Sequence, residues 1–344
     1  MKKLFIVLPL FIFILAACQS KSEPKETAGK PLEEEKDSLR VGMVIPGEID
    51  DKGFMESGYN GLMRIEKELG AEITYIDKIK PELKAMMDAL TKLAEENPDM
   101  VIMHGGQGSE AAQKVAEKYP DVQFVVTQGN VRGPNLSSYE VLQEESTWLA
   151  GAAAGLLTES NTVGHMSGIR VVPGLKGRAA FADGLKYTNP DAEFVTSFIG
   201  NQDDNALSKK YAEAQIEKGA DIIFTMLNSG RQGVTDALKE HNLKHIGNVK
   251  DYVAEQPDVF IASAIADSGA AGFLAAKNLT EGKWKPNVIE KIGLEQKDIV
   301  SLSLNSNVPQ EVKEKINELS DKIQNKEIEV HIEYDGPELI LEDK

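Results

Sequence analysis

The sequence predicts an α/β protein in which two doubly wound parallel-sheet domains are joined by a hinge. Short apolar runs rich in β-branched residues alternate with amphipathic segments along the chain, as expected for β-α-β-α units. The alternation starts afresh near residue 160. About 300 residues follow the first 38, which is more than one core usually serves and suits two domains.

The start of the chain predicts export. Lys2 and Lys3 precede an apolar segment, residues 4–15, which is shorter than a membrane span and is followed by small residues. This arrangement is typical of a signal peptide over residues 1–17. Leu-Ala-Ala-Cys at its end resembles a bacterial lipobox, so we expect Cys18 to be lipidated and to anchor the protein to a membrane. The alternative is an ordinary signal peptide with an accidental cysteine.

Composition excludes several classes of function. Residues 18–38 are rich in Lys, Glu, Ser and Pro and predict a flexible tether. Cys18 is the only cysteine, so the chain can form no internal disulfide and the folded part has no cysteine chemistry. The formal net charge of −17 is repelled by the phosphate backbone, so we expect no nucleic-acid partner.

Each predicted element follows from apolar spacing and from the glycine, proline and aspartate residues that flank it. In the first half we predict strands over 39–45, 72–76, 99–103 and 121–127, and helices over 52–69, 81–96, 109–119 and 144–157. In the second half we predict strands over 162–166, 193–198, 221–226, 245–249 and 259–265, and helices over 176–187, 205–218, 231–241 and 268–278.

The last part of the chain is expected to cross back between the domains and build the hinge. It has strand patterns within 292–304 and a helix pattern over 309–324. We therefore expect an N-terminal domain of residues 39–155 with part of 266–305. The C-terminal domain would contain residues 156–265 with part of 305–335.

One loop predicts where a ligand binds. The first strand is broken by Pro46 and Gly47, and the loop that follows carries Asp50 and Asp51 to the start of a helix. Open α/β sheets bind ligands at the carboxyl ends of their strands, so this loop is expected to form one lip of a cleft. The alternative is that both aspartates only cap the helix, where they would satisfy free N–H groups at the positive end of its dipole.

No motif for catalysis, a cofactor or a metal is complete. The G-G-Q-G-S loop, residues 105–109, lacks the spacing of a dinucleotide or phosphate loop and is better explained as a tight turn beside a ligand. The five histidines include no pair at metal-ligand spacing, and we expect His104 and His165 to be hydrogen-bonded in the core. No nucleophile, base and oxyanion site come together. We therefore expect a binding protein without a cofactor, not an enzyme.

Several motifs together resemble the basic membrane protein (BMP) family. They are I-D-D-K-G-F (49–54), G-Y-N-G-L (58–62), W-L-A-G-A-A-A-G (148–155), V-G-H-M-S-G (163–168), F-A-D-G-L-K-Y (181–187) and K-G-A-D-I-I-F (218–224). The resemblance runs in order from about residue 39 to about residue 325. It implies a lipoprotein with the type I periplasmic-binding-protein fold, which binds a purine nucleoside between its domains and delivers it to an ABC permease.

The chain departs from the family pattern at positions that contact the nucleoside. Gly53 replaces a serine and Met55 an asparagine of the first loop, Val249 replaces an aspartate expected to hold the ribose, and Ala266 replaces a lysine. A divergent, Med-type branch of the family, known for positive regulators of competence genes, shows similar losses. Removing such polar partners weakens a site built to hydrogen-bond a sugar.

Two functions are therefore predicted. The first is a solute-binding lipoprotein on the extracytoplasmic face of the cell membrane, which closes on a small polar ligand such as a nucleoside and serves an ABC importer. Its expected ligand-binding residues are Asp50, Asp51, Phe54, Gln107, Gln128, Asn130, Asn228, Ser229 and Asp251. For Phe54 the alternative is that the side chain packs in the core. The second is a membrane-anchored sensor or regulator of the Med type that acts through protein partners.

Overall fold

The computed structural model describes residues 38–341. Their strands are β1 (Arg40–Val44), β2 (Glu72–Ile76), β3 (Met100–His104), β4 (Gln123–Thr127), β5 (Leu136–Val141), β6 (Thr162–Ser167), β7 (Glu193–Phe198), β8 (Ile222–Met226), β9 (Lys244–Val249), β10 (Phe260–Ala266), β11 (Ile289–Ile292) and β12 (Val300–Leu304).

The helices alternate with these strands. They are α1 (Phe54–Leu69), α2 (Leu83–Ala94), α3 (Ser109–Ala116), α4 (Gln143–Leu157), α5 (Val172–Thr188), α6 (Asn205–Glu217), α7 (Arg231–Glu240), α8 (Tyr252–Glu255), α9 (Ser268–Thr280) and α10 (Gln310–Gln324). Among the described residues, none of the helices is long and apolar enough to cross a bilayer.

The strands form two six-stranded sheets, which confirms the predicted fold class. The first sheet has the order β11-β5-β4-β3-β1-β2 and the second the order β12-β10-β9-β8-β6-β7. Every pairing is parallel except that of β12, which runs antiparallel to β10. Parallel sheets need cover on both faces, and this explains why β1, β3 and β4 are almost continuously apolar.

The chain passes between the two sheets three times: after β5, after β10 and between β11 and β12. The helices near these passages pack across them, since α4 contacts α5 and β10 of the second sheet and α9 contacts α1 of the first. The predicted domain limits remain a prediction. The packing of α4 would favour a first limit before Gln143 rather than after residue 155.

The alanine- and glycine-rich helices α4 and α5 approach each other at backbone distance. A Cβ atom built on Gly151 would lie 2.0 Å from the carbonyl oxygen of Phe181, and one on Gly184 would lie 2.0 Å from that of Trp148. Only glycine fits at such contacts. This contact gives a physical reason for the W-L-A-G-A-A-A-G and F-A-D-G-L motifs.

Three local predictions were wrong. β5 was missed because its central residues Ser137 and Ser138 are polar; both are fully buried and donate hydrogen bonds to the carbonyl oxygens of Lys285 and Val131, respectively. Helix α5 begins at Val172 rather than at residue 176, since a proline is tolerated in the first turn of a helix. The short helix α8 was also missed.

Candidate functional site

Loops at the carboxyl edges of the two sheets meet each other. Each sheet with its covering helices is called a lobe below, and the boundary between the two carboxyl edges is called the cleft. The loop after β1 contacts the loops after β8 and β9: the amide of Asn228 donates to the carboxylate of Asp51 at 3.2 Å, and the hydroxyl of Tyr252 donates to the carbonyl oxygen of Lys52 at 3.4 Å. Ser57 of α1 donates to the carboxylate of Asp267, which follows β10, at 2.9 Å. The lobes therefore touch directly in this conformation.

Asp51 has two tasks at the lip of the cleft. Its carboxylate accepts hydrogen bonds from the backbone N–H groups of Gly53, Met55 and Glu56 at 2.8, 3.1 and 3.0 Å, at the start of α1. It also accepts the bond from Asn228. Burial raises the pKa of Asp51 above its usual value, and the backbone N–H groups oppose that shift. Asp50, by contrast, is exposed.

Phe54 lies against the core of the first lobe. Its ring stacks on His104, with 4.3 Å between the ring centroids and 23° between the planes. The carbonyl oxygen of Phe54 can only accept, so Nε2 of His104 carries the proton that joins them at 2.8 Å, and Nδ1 accepts from the hydroxyl of Thr127 at 2.9 Å. The predicted core role of His104 agrees with these bonds. One face of the Phe54 ring is therefore packed against His104.

The amides expected from the first lobe differ in availability. Both polar atoms of the Gln128 side chain are engaged by the end of β5: its Nε2 donates to the carbonyl oxygen of Val141 at 3.1 Å, and its Oε1 accepts from the N–H of the same residue at 2.5 Å. Gln107 and Asn130 are exposed on their loops. Of these three expected amides, Gln107 and Asn130 are therefore the more accessible to a ligand.

The polar residues expected from the second lobe are largely engaged. Asn228 reaches Asp51 across the cleft, whereas the hydroxyl of Ser229 donates to Asp203 at 2.9 Å. Asp251 caps α8, where it accepts from the N–H of Val253 at 3.0 Å, and it also accepts from the hydroxyl of Ser303 at 3.0 Å. The sequence placed these side chains near the cleft but could not show which atoms were already in use.

Four buried polar side chains near the carboxyl edges make no hydrogen bond with the described residues. They are Ser109, Gln143, Thr147 and Asn248, each at most 9% exposed, and the atoms concerned are two hydroxyl oxygens, the Gln143 Nε2 and the Asn248 Oδ1. Ser109 opens α3 after β3, and Gln143 and Thr147 occupy successive turns of α4 after β5. Sequence reasoning missed these residues, although each lies within a few residues of a strand's carboxyl end.

The backbone at Val249 is strained. Its φ is +76°, in the left-handed region that β-branched side chains rarely adopt. Val249 ends β9 and stands where the resembled family has its ribose-binding aspartate. Strain of this kind persists only where the surrounding structure imposes it, and it clusters at ligand sites. Val249 is thus a strained β-branched residue at the carboxyl end of β9.

Charged groups around the cleft are compensated within the protein. Arg231 lies 3.7 Å from the centroid of the Tyr252 ring, and burial lowers the pKa of the arginine. Lys176 of α5 pairs with Glu140 of β5 at 2.9 Å and with Glu144 of α4 at 3.3 Å. No group of three or more potential metal-ligating side chains occurs within residues 38–341.

The chain is similar to a family of known proteins. A family described as "ABC transporter substrate-binding protein PnrA-like" (Bmp) has a sequence model that matches residues 38–333. The chain belongs to this family. PnrA-like proteins are substrate-binding proteins rather than enzymes, so the predicted family and the predicted lack of enzymatic function are confirmed.

Relatives of this PnrA-like chain include regulators as well as membrane proteins. The transcriptional activator protein Med of Bacillus subtilis is 25% identical over 243 residues, which cover 71% of this chain and 75% of Med. Basic membrane protein A of Borreliella burgdorferi is 24% identical over 350 residues, covering 100% of this chain and 99% of the relative. The predicted resemblance to the Med-type branch therefore agrees with these matches.

Solved structures show the same fold. A solute-binding protein of an ABC transporter system from Aeropyrum pernix K1 superposes with a TM-score of 0.73 at 20% identity, covering 85% of this chain and 92% of its own. A transcriptional activator of the comK gene from Bacillus halodurans gives 0.71 at 24% identity, covering 84% and 99%. At these identities the likeness shows the periplasmic-binding-protein fold and no more. Cys18, the expected site of lipidation, lies outside the described residues.

Proposed function

We propose that this protein is a solute-binding lipoprotein that holds a small, neutral, polar molecule between its two lobes and presents it to an ABC permease. The observation that carries the proposal is the set of unpartnered side chains Ser109, Gln143, Thr147 and Asn248. Buried polar groups are nearly always hydrogen-bonded, and each exception requires an explanation. A ligand that offers hydroxyl and amide groups would satisfy all four.

The neutrality of the ligand follows from the charges nearby. Lys176 is already paired with two glutamates, and Asp51 with three backbone N–H groups and an amide. A buried ionic ligand would need a free opposite charge beside it, because a desolvated ion without a partner is costly, and Asp50 offers its charge only at the exposed lip. The unpartnered atoms are neutral donors and acceptors. A nucleoside or a related polyhydroxylated molecule matches this set.

The proposed mechanism is hinge closure. In an open state the loop after β1 would separate from the loop after β8, and the hydrogen bond between Asp51 and Asn228 would break. A ligand that contacts both lobes binds the closed state more tightly and shifts the population toward it. Asp50, Gln107 and Asn130 are exposed at the lips and could add contacts to the ligand as closure begins.

The proposed location is the extracytoplasmic face of the cell membrane, with the lipid on Cys18. The tether of residues 18–38 would let the folded lobes reach a membrane permease without direct insertion. The signal-peptide pattern and the Leu-Ala-Ala-Cys sequence support this location.

A thermal-shift screen of the soluble chain from Gln19 onward tests the proposal. Purine nucleosides, pyrimidine nucleosides, neutral sugars and charged solutes (nucleotides and amino acids) would be compared, and calorimetry would follow any hit. A ligand at 100 times its dissociation constant is expected to add about 2.7 kcal/mol of stability. A nucleoside hit would support the inherited ligand class, whereas a shift only with charged solutes would contradict the proposed neutrality.

The second candidate is a sensor or regulator that acts through protein partners. It is favoured by the internal use of Asp51, Gln128 and Asp251, because three of the polar groups expected to bind ligand are occupied by the protein itself. The similarity to Med also supports it. If no solute shifts the melting temperature and the lobes remain closed without ligand, this candidate replaces the first.

A further inference from the structure

The segment after α10 crosses the open edge of the second sheet. The N–H of His331 donates to the carboxylate of Asp183 on α5 at 3.2 Å, and the N–H of Leu339 donates to the carbonyl oxygen of Thr196 on the edge strand β7 at 2.8 Å. The hydroxyl of Ser197 donates to the carbonyl oxygen of Leu339 at 3.1 Å. Residues 325–341, called the C-terminal segment below, thus run over α5 and then over β7.

One carboxylate of this segment lies between two arginines. Glu338 forms ion pairs with Arg170, in the loop after β6, and with Arg178 of α5. The Arg178 side chain is only 7% exposed and lies 5.0 Å from the centroid of the Phe198 ring and 4.7 Å from that of Tyr334. Burial by itself would raise the pKa of Glu338, but the hydrogen bonds and charges of the arginines outweigh it and lower the pKa.

Arg178 depends on the C-terminal segment for its partners. Its side-chain hydrogen bonds go to Glu338 and to the carbonyl oxygen of Tyr334, and its buried Nε atom has no partner among the described residues. A guanidinium that loses its carboxylate in such a place is strongly unfavourable, because a buried charge is left uncompensated. The position is therefore built to receive a carboxylate.

An aromatic residue accompanies that carboxylate. Tyr334, four positions before Glu338, packs edge-on against Phe194 of β7 with 5.6 Å between the ring centroids. The segment therefore binds the way a peptide ligand does: an aromatic anchor and a carboxylate engage side chains, while a backbone N–H adds to an exposed sheet edge.

The C-terminal segment is at most partly buried along its length. None of residues 325–341 is fully buried, and a groove of about 510 Å³ lies between its residues 329–334 and α5. Such regions open at low free energy. The match to the PnrA-like family model ends at residue 333, just before Tyr334 and Glu338.

We propose that Arg170, Arg178, Phe194 and Phe198 form a peptide-binding site on the second lobe, which the chain's own C-terminal segment occupies in cis. Its ligand class is an acidic peptide with an aromatic residue four positions before a carboxylate. An acidic segment of a partner protein would displace the C-terminal segment and expose the edge of β7. The proposed peptide site stands whether or not a solute binds between the lobes.

Trans binding of the segment to the full chain from Gln19 tests the site. A fluorescent peptide of residues 326–341 would be titrated into the wild-type chain and into the Glu338→Gln chain, and binding would be followed by anisotropy. A tethered segment competes at an effective concentration in the millimolar range, so the peptide should bind the variant at least about 10-fold more tightly than the wild type. Circular dichroism would establish that the variant is folded.

Two peptides of equal charge provide the matched control. A Glu338→Gln peptide should lose binding, whereas a Glu333→Gln peptide should keep it, because Glu333 is exposed and forms no ion pair with a described residue. Equal binding of the two peptides, or no binding to a folded Glu338→Gln chain, would overturn the proposal. If that chain does not fold, hydrogen exchange of the Leu339 amide in the wild type decides: excess peptide should accelerate it, and unchanged exchange would refute the site.

Discussion

The amide of Asn228 donates a hydrogen bond of 3.2 Å to the carboxylate of Asp51, and this bond joins the lips of the two lobes. The same carboxylate holds the first N–H groups of α1. Asp51 therefore has two roles: it joins the lobes in the closed state, and it caps the start of α1, a role that does not require closure. The two roles can be separated by mutation.

Asn228→Ala should weaken closure while leaving the fold intact. The variant loses one hydrogen bond to a charged group, worth about 1.5–3 kcal/mol, but keeps the N–H bonds of α1. Small-angle scattering should show a larger radius of gyration, and the free energy of unfolding should fall by no more than the free-energy difference between the closed and open states. Asp51→Ala is the contrasting variant, since loss of the helix-start bonds should also cost about 1–2 kcal/mol of unfolding free energy. Equal effects of both on unfolding would contradict the separation of roles.

Gly53→Ala should open the cleft through the same residue. A Cβ atom at position 53 would lie 2.2 Å from Oδ1 of Asn228, so the amide would have to move away from Asp51. In a double-mutant cycle, Gly53→Ala should add little to the increase in radius of gyration that Asn228→Ala causes. Additive changes in the radius of gyration would show that Gly53 acts elsewhere.

Thr147→Val should show whether the Thr147 hydroxyl binds ligand or stabilises the fold. The Thr147 hydroxyl is buried and has no partner among the described residues, so its replacement by a methyl group should keep or raise the melting temperature of the ligand-free protein by removing an unsatisfied group. The shift produced by a solute hit should become smaller. Calorimetry with the same solute would measure the lost affinity.

The matched control is Thr196→Val. The Thr196 hydroxyl, on the edge strand β7, bonds to Nδ1 of the buried His165 on β6 at 2.7 Å. This variant should lose about 1 kcal/mol of unfolding free energy and bind the solute as the wild type does. If Thr147→Val destabilises the ligand-free protein as much as Thr196→Val, the Thr147 hydroxyl is structural and the proposed contact with ligand is wrong.

The sequence was most informative where structure is set locally. The strand patterns and the loop carrying Asp51 follow from apolar periodicity and from Pro46 and Gly47, and the parallel topology then brings that loop to the carboxyl edge of the sheet. These features need no knowledge of distant neighbours.

The state of the site's polar atoms could not be read from the sequence. Gln128 was expected to face a ligand, but its amide forms hydrogen bonds with the backbone of Val141 on β5. This strand was not predicted, because its central residues are two buried serines. The missing partner of Thr147 is equally invisible, because a hydroxyl is satisfied or unsatisfied only by tertiary neighbours. Whether Gln128 reaches a ligand remains a prediction.

Cys18→Ser should release the protein from the membrane. Without the thiol no lipid can be attached, and the soluble lobes with their acidic surface have no expected affinity for anionic headgroups. In cells expressing the variant, no labelled palmitate should be incorporated into the protein. The protein should also be missing from the membrane fraction. Retention of the variant on the membrane would indicate an anchor other than Cys18.

Acid should destabilise the protein through three buried histidines. Burial lowers the pKa of His104 to about 4 and that of His165 to about 3, and it lowers that of His245 well below 6.5. Between pH 6.5 and 4 the unfolded chain binds protons at these sites and the folded chain does not, so stability is present above pH 6.5 and is lost as the pH falls. Each histidine contributes a slope of about 1.4 kcal/mol per pH unit.

Urea unfolding at several pH values between 7.5 and 4.5 would measure this slope, and His104→Gln is the variant that assigns it. Glutamine keeps an N–H donor for the carbonyl oxygen of Phe54 but takes up no proton in this range. Its slope should be smaller than that of the wild type by about 1.4 kcal/mol per pH unit, because one proton is removed from the linkage. A wild-type stability that stays constant from pH 6.5 to 4.5 would show that the buried histidines are protonated in the folded state.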